Sequence, residues 1–182
     1  MSMRFPALLL LTLATAHPAH AFNAVSASVG TGAFSTPVDQ SYRLGLRWDW
    51  WDGGRPLPVT DWVYDAHWEL GVGRLEGEET VDDEDDLTEV GLSAVLRLRP
   101  QPRTTGFLEA GLGGHLLSDT QIADRDLATG FQFSPIMGTG LRFGGQRQYE
   151  LGLRYRRISN AIIKESDDGL DITLLRFVYH YR

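Results

Sequence analysis

The chain has 182 residues, a formal net charge of −7, no cysteine and a single lysine, Lys164. An acidic balance of this size argues against non-specific nucleic-acid binding, and without cysteine there is neither a disulfide framework nor thiolate chemistry. The length suits one domain, and no run after the first segment approaches the roughly 20 apolar residues that a membrane helix needs.

Residues Met1–Ala21 carry one early positive charge, Arg4, an apolar run beginning Leu8-Leu9-Leu10-Leu11 and the small-x-small ending Ala19-His20-Ala21. That combination describes a cleavable secretory signal, which leaves 22–182 as the mature domain.

From Phe22 onward the chain predicts about eight alternating segments punctuated by Gly, Pro, Asp and Ser, with little helical periodicity. The first lies near Val25, Ala27 and Val29. The second, Tyr42–Trp50, places Tyr42, Leu44, Leu46, Trp48 and Trp50 on one face and Arg43, Gly45, Arg47 and Asp49 on the other. In the third, Trp62, Tyr64, Ala66, Trp68, Leu70 and Val72 oppose Asp65, His67, Glu69, Gly71 and Gly73. In the fourth, Val90, Leu92, Ala94, Leu96 and Leu98 oppose Glu89, Gly91, Ser93, Arg97 and Arg99. The fifth (Leu108, Ala110, Leu112) and sixth (Phe131 to Phe143) are weaker. The last two are predicted over Tyr149–Asn160 and Leu170–Tyr181, with largely apolar odd positions.

Alternation alone fits a soluble barrel as well as a membrane barrel. Composition favours the membrane: the polar faces are rich in Gly and Arg with interspersed carboxylates, as a crowded lumen requires, whereas a water-facing surface would use more Lys. The predicted fold is therefore an all-β, eight-stranded antiparallel up-and-down transmembrane β-barrel. Trp48, Trp50, Trp62 and Trp68 read as lipid-facing surface and aromatic girdle rather than as a substrate platform. The connections Thr31–Ser41, Glu76–Asp86, Ser118–Gly130 and Ile162–Gly169 are expected to be long or acidic, and Pro100–Arg103 and Gly144–Gln148 short, so both termini should face the periplasm. Trp51–Asp61 is an exception to that pattern.

The run from Glu76 to Asp86 contains eight carboxylates and no cation. Like-charge repulsion predicts an extended, solvated external loop, with weak divalent-ion docking as the alternative; the spaced pattern of a dedicated calcium loop is missing. No metal or cofactor site is expected elsewhere.

The seventh and eighth segments carry the chemistry. Strict side-chain alternation puts Arg157 and Ser159 on the outward row of one strand and Asp171 on the outward row of the next, where the surroundings should be lipid. Polar residues near a strand end often do no more than meet headgroups and water. Arg157-Ile158-Ser159-Asn160-Ala161, with Asp171 twelve residues after the serine, nevertheless resembles the lipid A 3-O-deacylase family of outer-membrane barrels. That family carries His-x-Ser-Asn-Ala and an acidic residue at this spacing. The stretches Phe107–Gly113 and Phe131-Gln132-Phe133 resemble the family's fifth and sixth strands.

The resemblance implies a carboxylic ester hydrolase acting on the 3-linked acyl chain of lipid A in the outer membrane of a Gram-negative bacterium. Ser159 would be the nucleophile, Asp171 the histidine-orienting acid and Asn160 part of the supporting, substrate-binding hydrogen bonds. Position 157 would then hold the general base, and it is an arginine. A guanidinium offers donors only and does not deprotonate in proteins, so it cannot take the serine proton. His67, His115 and His180 fall on the lumen-facing rows and supply no substitute. For Arg157, snorkelling to the interface, pairing with Asp171 and contact with a lipid phosphate all remain open. Two functions follow: a lipid A deacylase-like enzyme, or a catalytically silent barrel that binds lipid A or serves a structural role.

Overall fold

A computed structural model of the chain describes residues 22–51, 53–78, 86–100, 105–160 and 168–181. The expected leader, Met1–Ala21, most of the acidic run, Lys164 and the 161–167 stretch lie outside the described residues. The strands, in chain order, are β1 (Ala24–Gly32), β2 (Val38–Asp49), β3 (Arg55–Pro56), β4 (Trp62–Gly77), β5 (Asp86–Pro100), β6 (Gly106–Leu117), β7 (Gln121–Ile122), β8 (Arg125–Asp126), β9 (Phe131–Phe143), β10 (Tyr149–Ile158) and β11 (Leu170–His180).

Eight of these are long, among the described residues, and each pairs antiparallel with the next long strand in sequence. β1 pairs with β11, Ala24 opposite His180, and closes the sheet on itself. Closure leaves no long edge exposed, and it satisfies backbone groups internally, as a lipid environment demands.

The alternation sorts side chains as the sequence predicts. Leu44, Leu112, Met137, Leu153 and Leu175 are exposed on the outside, whereas Arg43, Glu69, Glu89, Arg97, Glu109, Arg154, Arg156 and Arg176 are buried inside. The buried charges are matched. Arg97 binds Glu150 at 2.7 Å and Glu109 at 2.9 Å. Arg154 bridges Glu69 and Glu109, each at 2.8 Å, and Arg176 joins Glu69 to Glu150. Higher in the lumen, Glu89 receives Arg43 at 2.7 Å and Arg156 at 2.5 Å. Inward glycines make room for these long side chains: a Cβ on Gly71 would lie 2.5 Å from the Arg43 guanidinium. The barrel interior is thus filled rather than open, as is usual for eight strands.

Above the charged layer the lumen turns apolar. Val38, Leu75, Leu87, Ile158, Leu170, Ile172 and Leu174 cluster with Ile122 and Leu127, which come from the 118–130 connection. That connection contains the β7–β8 hairpin and is no simple loop; its two apolar residues fold back into the barrel mouth and cap it.

Two expected connections differ. Thr31–Ser41 is not a long loop: β1 and β2 are separated by residues 33–37 only. Phe34 and Ser35 both adopt left-handed backbone, at φ 52° and 61°, and so tighten the turn. The polar residues that suggest a loop belong to β2, where Val38 is nevertheless buried in the upper cluster and pairs with Gly77. Trp51–Asp61 contains β3, which adds to the lower end of β4.

An even strand number puts both termini at one end, where Tyr181 N–H donates to the Asn23 carbonyl at 3.1 Å. The tight 144–148 turn lies there too. So does an aromatic belt: Trp50 packs on Trp68 at 5.3 Å, Phe22 on Trp48 at 5.4 Å and Tyr149 on Tyr179 at 5.7 Å. Aromatic girdles of this kind mark a membrane interface. The 118–130 connection, the end of β10 and the start of β11 lie at the opposite end, which is the outer one by the rule that external loops are longer.

Candidate functional site

The site begins with strand register. β10 and β11 run antiparallel with Arg157 directly opposite Asp171, one position before the last pair, Ile158 with Leu170. Directly opposed residues share a face of the sheet, so both side chains emerge outward, beside Tyr155 and Thr173 on the same rows. Arg157 Nη1 donates to Asp171 Oδ2 at 2.9 Å, with the arginine side chain 43% exposed and the aspartate 13%. The Tyr155 hydroxyl donates to the other oxygen, Asp171 Oδ1. Each carboxylate oxygen therefore accepts one hydrogen bond, from Arg157 or Tyr155.

The backbone of Asp171 is fixed as well. Its N–H donates to Thr36 Oγ1 at 3.1 Å, and its carbonyl accepts from the Ala33 N–H at 2.8 Å. The tight turn between β1 and β2 thus clamps the start of β11. Phe34 in that turn packs edge-on against Tyr155, ring centroids 6.0 Å apart. On the other side Gly169, at φ 61°, lies so close that a Cβ there would sit 2.8 Å from Arg157 Nη2. The guanidinium lies over a position that only glycine fills without strain.

Ser159 follows the end of β10. It makes a single bridge to Phe133 on β9, with Ser159 N–H donating to the Phe133 carbonyl at 2.9 Å and Phe133 N–H to the Ser159 carbonyl at 2.7 Å. This bridge puts the Ser159 side chain on the outward face with Phe133, two positions beyond Arg157. On an extended strand that separates the two Cα atoms by roughly 6.6 Å. The serine is half-buried, and its hydroxyl has no hydrogen-bond partner among the described residues. Asn160 is fully buried.

Of the expected residues, Arg157 and Asp171 are in direct contact, Ser159 adjoins them on the same face, and Asn160 lies underneath. His67, His115 and His180 are buried in the lumen, 0%, 1% and 6% exposed, so the barrel wall separates all three from Ser159. Sequence reasoning missed Tyr155 and Thr36. Tyr155 was findable, since it precedes Arg157 on the same outward row. Thr36 lies 135 positions from Asp171, and no local pattern announces its contact.

Chemically, the arrangement offers a nucleophile-type hydroxyl, a carboxylate held against the position two residues before it, and a cation there instead of a base. A closed, antiparallel eight-stranded barrel with an ion-paired lumen, an apolar exterior and polar groups grouped at one rim defines an outer-membrane barrel of the small, filled type. The chain belongs to the lipid A 3-O-deacylase (PagL) family, whose model matches residues 40–180. It is 29% identical over 175 residues to the lipid A deacylase PagL of Bordetella bronchiseptica, covering 95% of this chain and 92% of that one. It is 30% identical over 179 residues to the lipid A deacylase PagL of Pseudomonas aeruginosa, covering 94% of each. A crystal structure of the outer membrane enzyme PagL superposes with a TM-score of 0.71 at 28% identity, covering 86% of this chain and 98% of that chain.

Proposed function

We propose that this protein is a lipid A-binding barrel of the outer membrane, built on a deacylase site in which Arg157 removes the general base. Met1–Ala21 directs it to the envelope, and lipid A presented by the outer leaflet reaches the Arg157–Ser159–Asp171 rim from the side. The observation that carries this reading is the ion pair between Arg157 and Asp171. A serine nucleophile needs a neighbour that accepts its proton and returns it to the leaving alcohol. Arg157 has no acceptor to offer, while Asp171 is held by Arg157 on one oxygen and by Tyr155 on the other. Base participation is typically worth about 10²–10⁴-fold in rate, so turnover at Ser159 should be slight. The exposed guanidinium retains donors for a lipid A phosphate.

The second reading, an active 3-O-deacylase, draws on the outward Ser159 hydroxyl, which has no hydrogen-bond partner among the described residues. Mass spectrometry of lipid A from cells with and without the protein separates the two. An unchanged lipid A profile, together with co-purification of lipid A with the barrel, is the expected result. Loss of the 3-linked acyl chain only in cells that carry the protein would establish the active enzyme instead.

A further inference from the structure

At the end of the barrel opposite Ser159, a polar cavity of about 250 Å³ is lined by Arg99, Thr105, Gly106, Phe107, Arg142 and Arg147, with Gln146 at its edge. Among the described residues that line it, three are arginines and none is a carboxylate. In a chain with a net charge of −7, such a concentration of cations is local and needs a cause. The carboxylates nearby are already engaged. Asp65 takes Arg99 at 3.4 Å and Arg47 at 3.6 Å, and Glu150 is shared among Arg97, Arg176 and His180. Arg142 has no ion pair within 4 Å among the described residues, and its Nε is buried with no hydrogen-bond partner. The Nε atoms of Arg97, Arg156 and Arg176 are orphaned likewise, but those guanidinium groups are neutralised through their Nη atoms; Arg142 combines an unmet buried donor, which is costly, with the lack of an ion pair among the described residues.

We propose that this cavity is an anion site for a phosphate group. Two lumen-facing strands, β5 and β9, supply Arg99 and Arg142, and the 144–148 turn supplies Arg147 from the solvent side. Arg147 stands at φ 53° in that turn, whose Gly144 carbonyl accepts the Arg147 N–H at 3.0 Å. Planar guanidinium forks match phosphate oxygens in pairs, and an incoming phosphate gives Arg142 Nε the acceptor it lacks. The cavity opens where the barrel meets the inner leaflet and the periplasm, so the phosphate has two sources: an anionic phospholipid headgroup or free phosphate. The site is independent of the chemistry at Ser159.

Calorimetric titration of the full mature chain, folded in micelles at fixed ionic strength, tests this with two probes: inorganic phosphate and soluble dihexanoylphosphatidylglycerol. Saturable one-to-one binding of either supports the site, and the stronger binder identifies the source. Arg142→Gln should weaken binding at least about tenfold, the loss of a charge-assisted pair, while heat-modifiable gel migration shows that the barrel still folds. Arg147→Asn, which keeps a residue tolerant of the left-handed turn, should weaken it to a smaller extent without touching the lumen. Absence of saturable binding by both probes, or binding unaltered in both variants, would overturn the proposal.

Discussion

Arg157 and Asp171 stand directly opposite each other on β10 and β11 and close a 2.9 Å ion pair. The register that holds the acid against position 157 would orient an imidazole there. With a guanidinium in that place the same register satisfies both charges, and residue 157 offers no acceptor to the neighbouring Ser159 hydroxyl. Arg157 is 43% exposed at the side chain, and surface pairs of this kind contribute only about 0–1 kcal/mol. The pair therefore sets the chemistry of the rim far more than it sets the stability of the barrel.

Stability depends instead on the lumen. Glu150 is 1% exposed and receives Arg97 and Arg176, with His180 Nε2 3.2 Å from its other oxygen. Glu150→Gln leaves two buried guanidinium groups short of a counter-charge, and breaking a buried pair by removing one partner costs about 3–5 kcal/mol. Urea unfolding of the micelle-folded protein should show a loss of that order. A change under about 1 kcal/mol, the range of exposed pairs, would mean that the charged layer is solvated.

The apolar cap gives a second handle. Leu127 is completely buried in the cluster that closes the outer mouth. Leu127→Ala should lower stability by about 2–5 kcal/mol through lost burial and the cavity left behind, and protease access to the 118–130 connection should rise with it. Unchanged stability and cleavage would show that the hairpin does not hold its place in the mouth.

The exterior tests the membrane assignment. Leu153 lies midway along β10, 53% exposed on the outward face. Leu153→Arg should cost up to about 2–4 kcal/mol in a bilayer, the penalty for a cation at mid-depth on a lipid face. In a barrel surrounded by water the same change would be nearly neutral. Comparing folding of wild type and variant into phosphatidylcholine vesicles distinguishes the two.

Much of this architecture can be read from residue order because strand alternation has a period of two and the two faces meet different surroundings. The outward rows that contain Leu153 and Tyr179, and the inward placement of Arg154, Arg156 and His180, follow from counting alone. What escapes are contacts made by short or irregular pieces. The turn at Phe34 and Ser35 is not written in its composition, since neither residue favours left-handed backbone. The β7–β8 hairpin owes its position to Ile122 and Leu127 finding the barrel mouth, a tertiary effect. At the site, the shared face of Arg157, Ser159 and Asp171 follows from parity. The choice of Arg157 as the partner of Asp171 depends on register, and the clamp from Thr36 closes over a distance in sequence that no local pattern spans.

The most direct test replaces the arginine. Release of the 3-linked acyl chain from purified lipid A, followed by mass spectrometry, should be slight for wild type and should rise on Arg157→His. It should rise further when Asp171→Glu is added, because the longer acid reaches the new imidazole, and it should vanish in each case on Ser159→Ala. The gain has a ceiling near the roughly 10²–10⁴-fold that a general base typically contributes. Rapid release by wild type that Ser159→Ala abolishes would contradict the account, because a group other than residue 157 would then be taking the serine proton.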